Sequence, residues 1–151
     1  MTALTDDRAG TYWRNIDESN VLGPYDVGAD TTIYDGALVA FDGSGNVVPL
    51  SAAANLKFAG IARKGADNSG GAAGDKTVYI VPKGEVLLTL DTALAASNVF
   101  GVVVTAVDDQ TVDVAGNTDP DIPVGVPIEM VSTTSWWVAI DAVALAMAVN
   151  A

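Results

Sequence analysis

The chain has 151 residues, half of them apolar, with seven basic residues against nineteen acidic ones and a net charge of −12. That length and apolar content suit one folded domain with a real core. The shortage of Lys and Arg argues against nucleic acid, where basic side chains supply most of the affinity, and against anionic membrane surfaces. The sequence contains no Cys and no His. Disulfides, thiolate nucleophiles, Ser-His-Asp triads and zinc or haem ligation by those residues are therefore absent from its chemistry.

The opening MTALTDDRAG lacks the basic-then-apolar order of a secretory leader. Residues 1–28 carry polar side chains, two glycines short of their last position, one proline and the cluster Tyr12-Trp13-Arg14. They read as an extended N-terminal arm, and aromatic residues beside an arginine are the composition of an interface hot spot. The alternative for this cluster is a local staple onto the chain's own domain.

From residue 29 to 141 short runs of Val, Ile, Thr and aromatics alternate with Gly and polar clusters, which predicts an all-β domain, a small barrel or sandwich. Strands are expected at 37–41, 46–49, 58–63, 77–81, 85–90, 99–107, 111–114, 126–131 and 136–140. DGSGN at 42–46 is hairpin chemistry, because Gly43 and Gly45 take positive φ without a Cβ penalty. GADNSGGAAGD, 65–75, reads as a mobile surface loop. A recurrence also runs through the chain: FAGIA at 58–62, FGVVV at 100–104 and VGVPI at 124–128. Each is followed by an alternating strand, TVYIV, TVDVA and WWVAI respectively. Openings GALVAFD at 36–42 and GEVLLTLD at 84–91 resemble each other as well. The last segment, 142–151, is apolar and short: a helical turn, a final strand, or a tail laid on a neighbouring subunit. No apolar run approaches the roughly 18 residues of a membrane span.

The acidic residues offer little chemistry. Asp42, Ser44 and Asn46 fit the first odd positions of a calcium loop, but Val47 stands where glycine is required and Ala53 where the bidentate Glu belongs. Asp35 and Asp42, on one continuous strand, would face opposite sides. Both are expected to be turn residues. Asp67, Asn68 and Asp75, and Asp119 with Asp121, sit in turn-like sequence where Asp and Asn bond their own backbone. GGAAG lacks the Lys and Ser/Thr of a phosphate loop. No nucleophile has an adjacent base, so neither catalysis, cofactor nor metal is expected. Trp136 and Trp137 are adjacent on a predicted strand, so one should enter the core and the other reach a surface.

The order of these elements over residues 26–84 resembles the capsid decoration (cement) proteins of tailed bacteriophages. The elements are Gly28, Ala29, Thr31 or Thr32, Leu38-Val39, Asp42-Gly43, Val47-Val48-Pro49, Gly60-Ile61-Ala62, Gly74-Asp75 and Val78 to Val81. LVAFDG is similar to a strand of the smaller lambdoid head-stabilising protein. VGVPIEMV and WWVAI fit the pattern loosely, and 85–117, which has no clear place in it, reads as an added or duplicated unit. The resemblance implies a tulip-like β-barrel, commonly a trimer, on the outer capsid surface, bridging neighbouring major capsid protein subunits. Such a protein would be made in the host bacterial cytoplasm and carried on the virion. On this reading Tyr12, Trp13 and Arg14 are the capsid-contact candidates. Trp136, Trp137 and Met147 in the C-terminal tail are the subunit-interface candidates. The rival readings are a receptor- or carbohydrate-binding β-domain, with an exposed Trp stacked on sugar, and a carboxylate-dependent hydrolase using loop aspartates.

Overall fold

The computed structural model describes residues 2–8, 10–16 and 18–149. Among them the strands are β1 (Trp13–Arg14), β2 (Leu22–Asp26), β3 (Thr31–Ile33), β4 (Leu38–Phe41), β5 (Val47–Pro49), β6 (Lys57–Lys64), β7 (Ala66–Asn68), β8 (Thr77–Val81), β9 (Lys83–Leu90), β10 (Val104–Ala106), β11 (Thr111–Val114), β12 (Pro123–Ser132) and β13 (Ser135–Asp141). One helix, α1 (Ala142–Val149), follows. The protein is all-β, as its alternating runs predict, and its strands form two barrel-like units in tandem.

The first unit orders its strands β2-β8-β6-β4-β5. A parallel bridge between Val27 and Val47 closes it. In the second unit β9, β13, β12, β10 and β11 form a closed ring, sealed by the parallel pairing of β11 with β9. The connectivity of the two is the same, and so is the register. Val39 pairs with Gly60 and Ala40 with Phe58, while Val104 pairs with Gly125 and Thr105 with Pro123; each ladder skips one residue there. Phe41 pairs with Val47 as Ala106 pairs with Val112. The flanking bonds repeat too. Leu50 N–H donates to Leu38 O (2.9 Å) and Ala115 N–H to Val103 O (3.1 Å). Gly28 N–H donates to Val47 O (3.0 Å) and Asp91 N–H to Val112 O (2.9 Å). Residues 38–60 thus correspond to 103–125 without a gap, and Ile61–Val81 corresponds to Val126–Ala139 across the next ladder.

This register corrects the expected recurrence. FAGIA and VGVPI are indeed equivalent, with Gly60 and Gly125 at one position. A Cβ at either would overlap a carbonyl of the next strand, Val81 O or Ala139 O respectively, so both positions require glycine. GALVAFD corresponds instead to GVVVTAV, and GEVLLTLD to the stretch beginning at Val21.

Interior positions are matched in pairs: Val27 with Leu90, Val39 with Val104, Val47 with Val112, Ala59 with Val124, Val78 with Trp136 and Ile80 with Val138. The first member of each pair belongs to one buried cluster and the second to another.

Three other expectations change. The segment expected as an extended arm is built into the fold: β1 pairs with β9, β2 is a barrel strand, and Trp13 packs on the core. Apolar side chains at 13, 16 and 21 bury only by folding back, which outweighs the loop-like composition between them. The loop at 65–75 begins as the β3–β7 ribbon, and the buried Asn68 ties it down by donating from Nδ2 to Gly28 O (2.9 Å) and Ala72 O (3.0 Å). Of the strand expected at 99–107 only Val104–Ala106 pairs, because the preceding residues make the tight turn around Asn98 and Gly101.

Candidate interaction surfaces

The two aromatic clusters picked out in the sequence come together in space. Strand alternation sends Trp136 into the second barrel, fully buried, its indole N–H reaching Thr133 O at 3.4 Å. Trp137 emerges on the outer side, half-buried. There the Arg14 guanidinium lies 4.1 Å from the centre of its ring, a cation–π arrangement. The sheet dictates this meeting. β1 sets Arg14 opposite Glu85, β13 sets Trp137 opposite Leu87, and β12 sets Glu129 opposite Trp137. Arg14 Nε bonds Glu85 Oε1 at 2.7 Å and its terminal nitrogens reach Glu129 at 3.2 and 3.3 Å. The bonds to Glu129 and then Glu85 raise the Arg14 pKa above its ordinary value. Bonding from the Asn15 amide, and then from Arg14, holds the Glu85 carboxyl below the usual range. Arg14 and Trp137 therefore clasp the N-terminal segment to the second barrel.

Tyr12 and Trp13 take different places. Tyr12 is 41% exposed and lies under the Arg8 guanidinium, 4.3 Å from its ring centre. Trp13 is half-buried over Gly36, where a side chain would collide with the indole. Arg8 itself is buried. Its Nη2 donates to Leu87 O, while Nε and Nη1 find no hydrogen-bond partner among the described residues. Burial pulls its pKa down to about 10. Near it Asp109, also buried, accepts the Leu4 N–H at 2.8 Å, and burial raises its carboxyl pKa. Residues 2–8 form a strap: Arg8 N–H donates to Asp35 O at 2.9 Å, and Asp35 N–H to Asp7 Oδ1 at 2.8 Å.

The loop aspartates do turn chemistry. Asp42 Oδ1 accepts the N–H groups of Ser44 and Asn46 at 2.8 and 2.9 Å, and Asp35 Oδ1 accepts that of Gly65. Asp67 is held below the usual carboxyl range by bonds from Ser69, and Asp121 by the Thr118 hydroxyl and Gly116 N–H. Among the described residues no three acidic side chains gather as metal ligands would.

The free apolar surface lies mostly where the sequence reading placed no site. Phe100 is 74% exposed, Val131 59% and Val143 51%, while the expected Met147 is 69% exposed. Helix α1, AVALAMAV, has no polar side chain at all; a helix apolar all round is normally covered on every side. An apolar groove flanks it on each side. One, about 540 Å³, is floored by Gly125, Val126, Ala139 and Ile140 and rimmed by Ala144 and Leu145. The other, about 490 Å³, runs between Leu22, Tyr25, Phe58 and Ile80 on the first barrel and Val143 and Met147 on the helix. The unalternating run VFGVVV and the uniformly apolar tail are the sequence signals that could have found this surface.

Fold and surfaces together define a tandem β-barrel protein whose open apolar area is concentrated on the second barrel and α1. No protein-family model, curated protein or solved structure matches the chain.

Proposed function

We propose that this is a non-enzymatic virion protein that binds the outer surface of a phage capsid and stabilises it by bridging neighbouring major capsid protein subunits. The observation that carries the reading is that the resemblance is concentrated on a single barrel. The stretch resembling capsid decoration proteins, 26–84, takes in four of the first barrel's five strands, β4, β5, β6 and β8, and only Asp26 of the fifth, β2. The resemblance therefore falls mostly within one structural unit, and the chain then repeats that unit's strand order. A rigid double barrel with exposed apolar ends and a net charge of −12 suits a protein soluble before it meets a lattice. Repeated contacts over a lattice multiply modest individual affinities. The charge also favours the outside of a shell whose interior holds DNA.

In this reading the capsid is met by the surface around Tyr12, Trp13 and Arg14, held as part of the rigid body. Trp137 and Met147 border the contact between copies, and a closed trimer is the favoured assembly. Cosedimentation of the purified protein with expanded capsids of the phage that carries its gene tests the proposal. Saturable binding, weakened by Tyr12→Ala with Arg14→Ala, supports it; a folded protein that stays in the supernatant refutes it. The carbohydrate-binding alternative needs an open indole face, and Arg14 occupies one face of Trp137.

A further inference from the structure

The repeat makes the two barrels directly comparable, and one of their faces is treated in opposite ways. Leu38, Ala40, Leu50, Ile61 and Val81 lie outside the first barrel's own core cluster, yet each is at most 1% exposed. They are covered because they join the second barrel's cluster. The β10–β11 turn is seated there, with Leu38 N–H donating to Asp109 O at 2.9 Å. The corresponding positions on the second barrel are Val103, Thr105, Ala115, Val126 and Ala139. Thr105 is buried under the Thr118 hydroxyl. The rest of the face is open: Val103 is 43% exposed, Ala115 is exposed, and Val126 and Ala139 floor the 540 Å³ groove. Phe100, 74% exposed, stands where the first barrel has Asp35, which the 2–8 strap covers.

The turn that hydrogen-bonds at this face within the chain also has a free counterpart. The turn at 108–110 corresponds to Gly43, Ser44 and Gly45 between β4 and β5. All three are exposed, and open space surrounds both glycines. Each molecule thus carries a largely open counterpart of an interface it already makes with itself, both the receiving face and the turn that bonds to it.

We propose that the Val103–Val126–Ala139 face of one molecule receives the Gly43–Gly45 turn of a second copy, head to tail, as the first barrel receives the second within the chain. The contact joins different surfaces of the two partners, so it propagates to a ring or a chain and does not close as a two-fold dimer. The backbone bond from Leu38 to Asp109 then has an intermolecular counterpart from Val103 N–H to Ser44 O. Copies bearing −12 each repel at low ionic strength, so the association strengthens as salt screens them. The contact needs no capsid, and its test is independent of the function proposed above.

The chain has no cysteine, which permits a clean cross-linking test. Val103→Cys and Ser44→Cys are made separately, mixed at equal concentration in 0.15–0.5 M salt (a range over which the Debye length falls from about 8 Å toward ~4 Å) and oxidised. The expected result is a disulfide-linked dimer from the mixture and none from either variant alone, with native mass rising with protein concentration and Val103→Asp abolishing that rise. The proposal is overturned if the mixture cross-links no better than Ser44→Cys mixed with a cysteine at exposed Val131. It is equally overturned if Val103→Cys dimerises alone, or if the wild-type protein stays monomeric at every concentration and salt.

Discussion

The two barrels share strand order, closure and register but fill their interiors differently. Where the first has Val78, the second has the buried Trp136. Where the second has Ala106 and Leu88, the first has Phe41 and Tyr25, stacked edge-on with ring centres 5.0 Å apart. Large and small residues have changed places around one backbone plan, the kind of volume-conserving exchange that β cores tolerate. Topology is thus fixed by ladder register and by the glycines at 60 and 125, and the distribution of bulk is free as long as the total is kept. The outer faces differ more sharply, since one is sealed by the neighbouring barrel and its counterpart is open.

The exchange is sharpest at the tryptophan. Trp136→Ala should cost about 3–5 kcal/mol, read from the urea midpoint, and more than Val78→Ala at the matched site. Trp136→Val is expected to recover part of its lost stability when Ala106→Phe is added. Equal costs at 78 and 136, or no recovery, would break the comparison of interiors.

Gly60→Ala and Gly125→Ala test the shared backbone plan. Each places a Cβ against the carbonyl of the next strand, so each should destabilise by about 1–3 kcal/mol. Tolerance of one and not the other would mean the two bulges are not equivalent.

Asp109, on the turn seated against the first barrel, gives a smaller effect of opposite sign. Its folded pKa is raised by burial, so the wild-type contribution is complete below the unfolded carboxyl value and is lost as pH rises through the folded one. Asp109→Asn keeps an oxygen for the Leu4 N–H and removes the charge. It should raise the melting temperature at pH 7, and the gain should vanish below about pH 4. A loss of stability at pH 7 would contradict this.

The least costly change is Arg14→Ala. Exposed ion pairs contribute little, so the melting temperature should barely move, while Trp137 emission shifts to the red as its cover is removed. Glu85 has a lowered pKa in the folded state. Its contribution is present above about pH 4.3 and lost on acidification through the folded value; Arg14→Ala should flatten that acid limb.

Much of the fold is legible from alternation and turn residues. The strand at Thr77–Val81 and that at Thr111–Val114 match their expected limits, and the predicted runs at 37–41, 58–63 and 136–140 differ from the observed strands by a residue or so at an end. The elements that escape notice fail for identifiable reasons. β2 contains Gly23-Pro24, which reads as a turn, and its ladder to β8 shifts register between Leu22 and Tyr25. β1, β3 and β7 are two or three residues long and gain their partners from distant segments. The repeat is only faintly visible because its matched interior positions, such as Val78 and Trp136, conserve a role and not a residue. Of the candidate site, the alternation of Trp136 and Trp137 is readable, and Met147 is exposed on the apolar tail. The partnership of Arg14 with Trp137 is not readable, since it depends on β1 finding β9.

The central claim is that the double barrel stabilises a shell by bridging its subunits. Calorimetric melting of expanded capsids, with and without saturating protein, tests it most directly. The account predicts a higher shell transition that rises with occupancy and levels off at a fixed ratio of protein to capsid subunit. Bound protein that leaves the transition unmoved would contradict it.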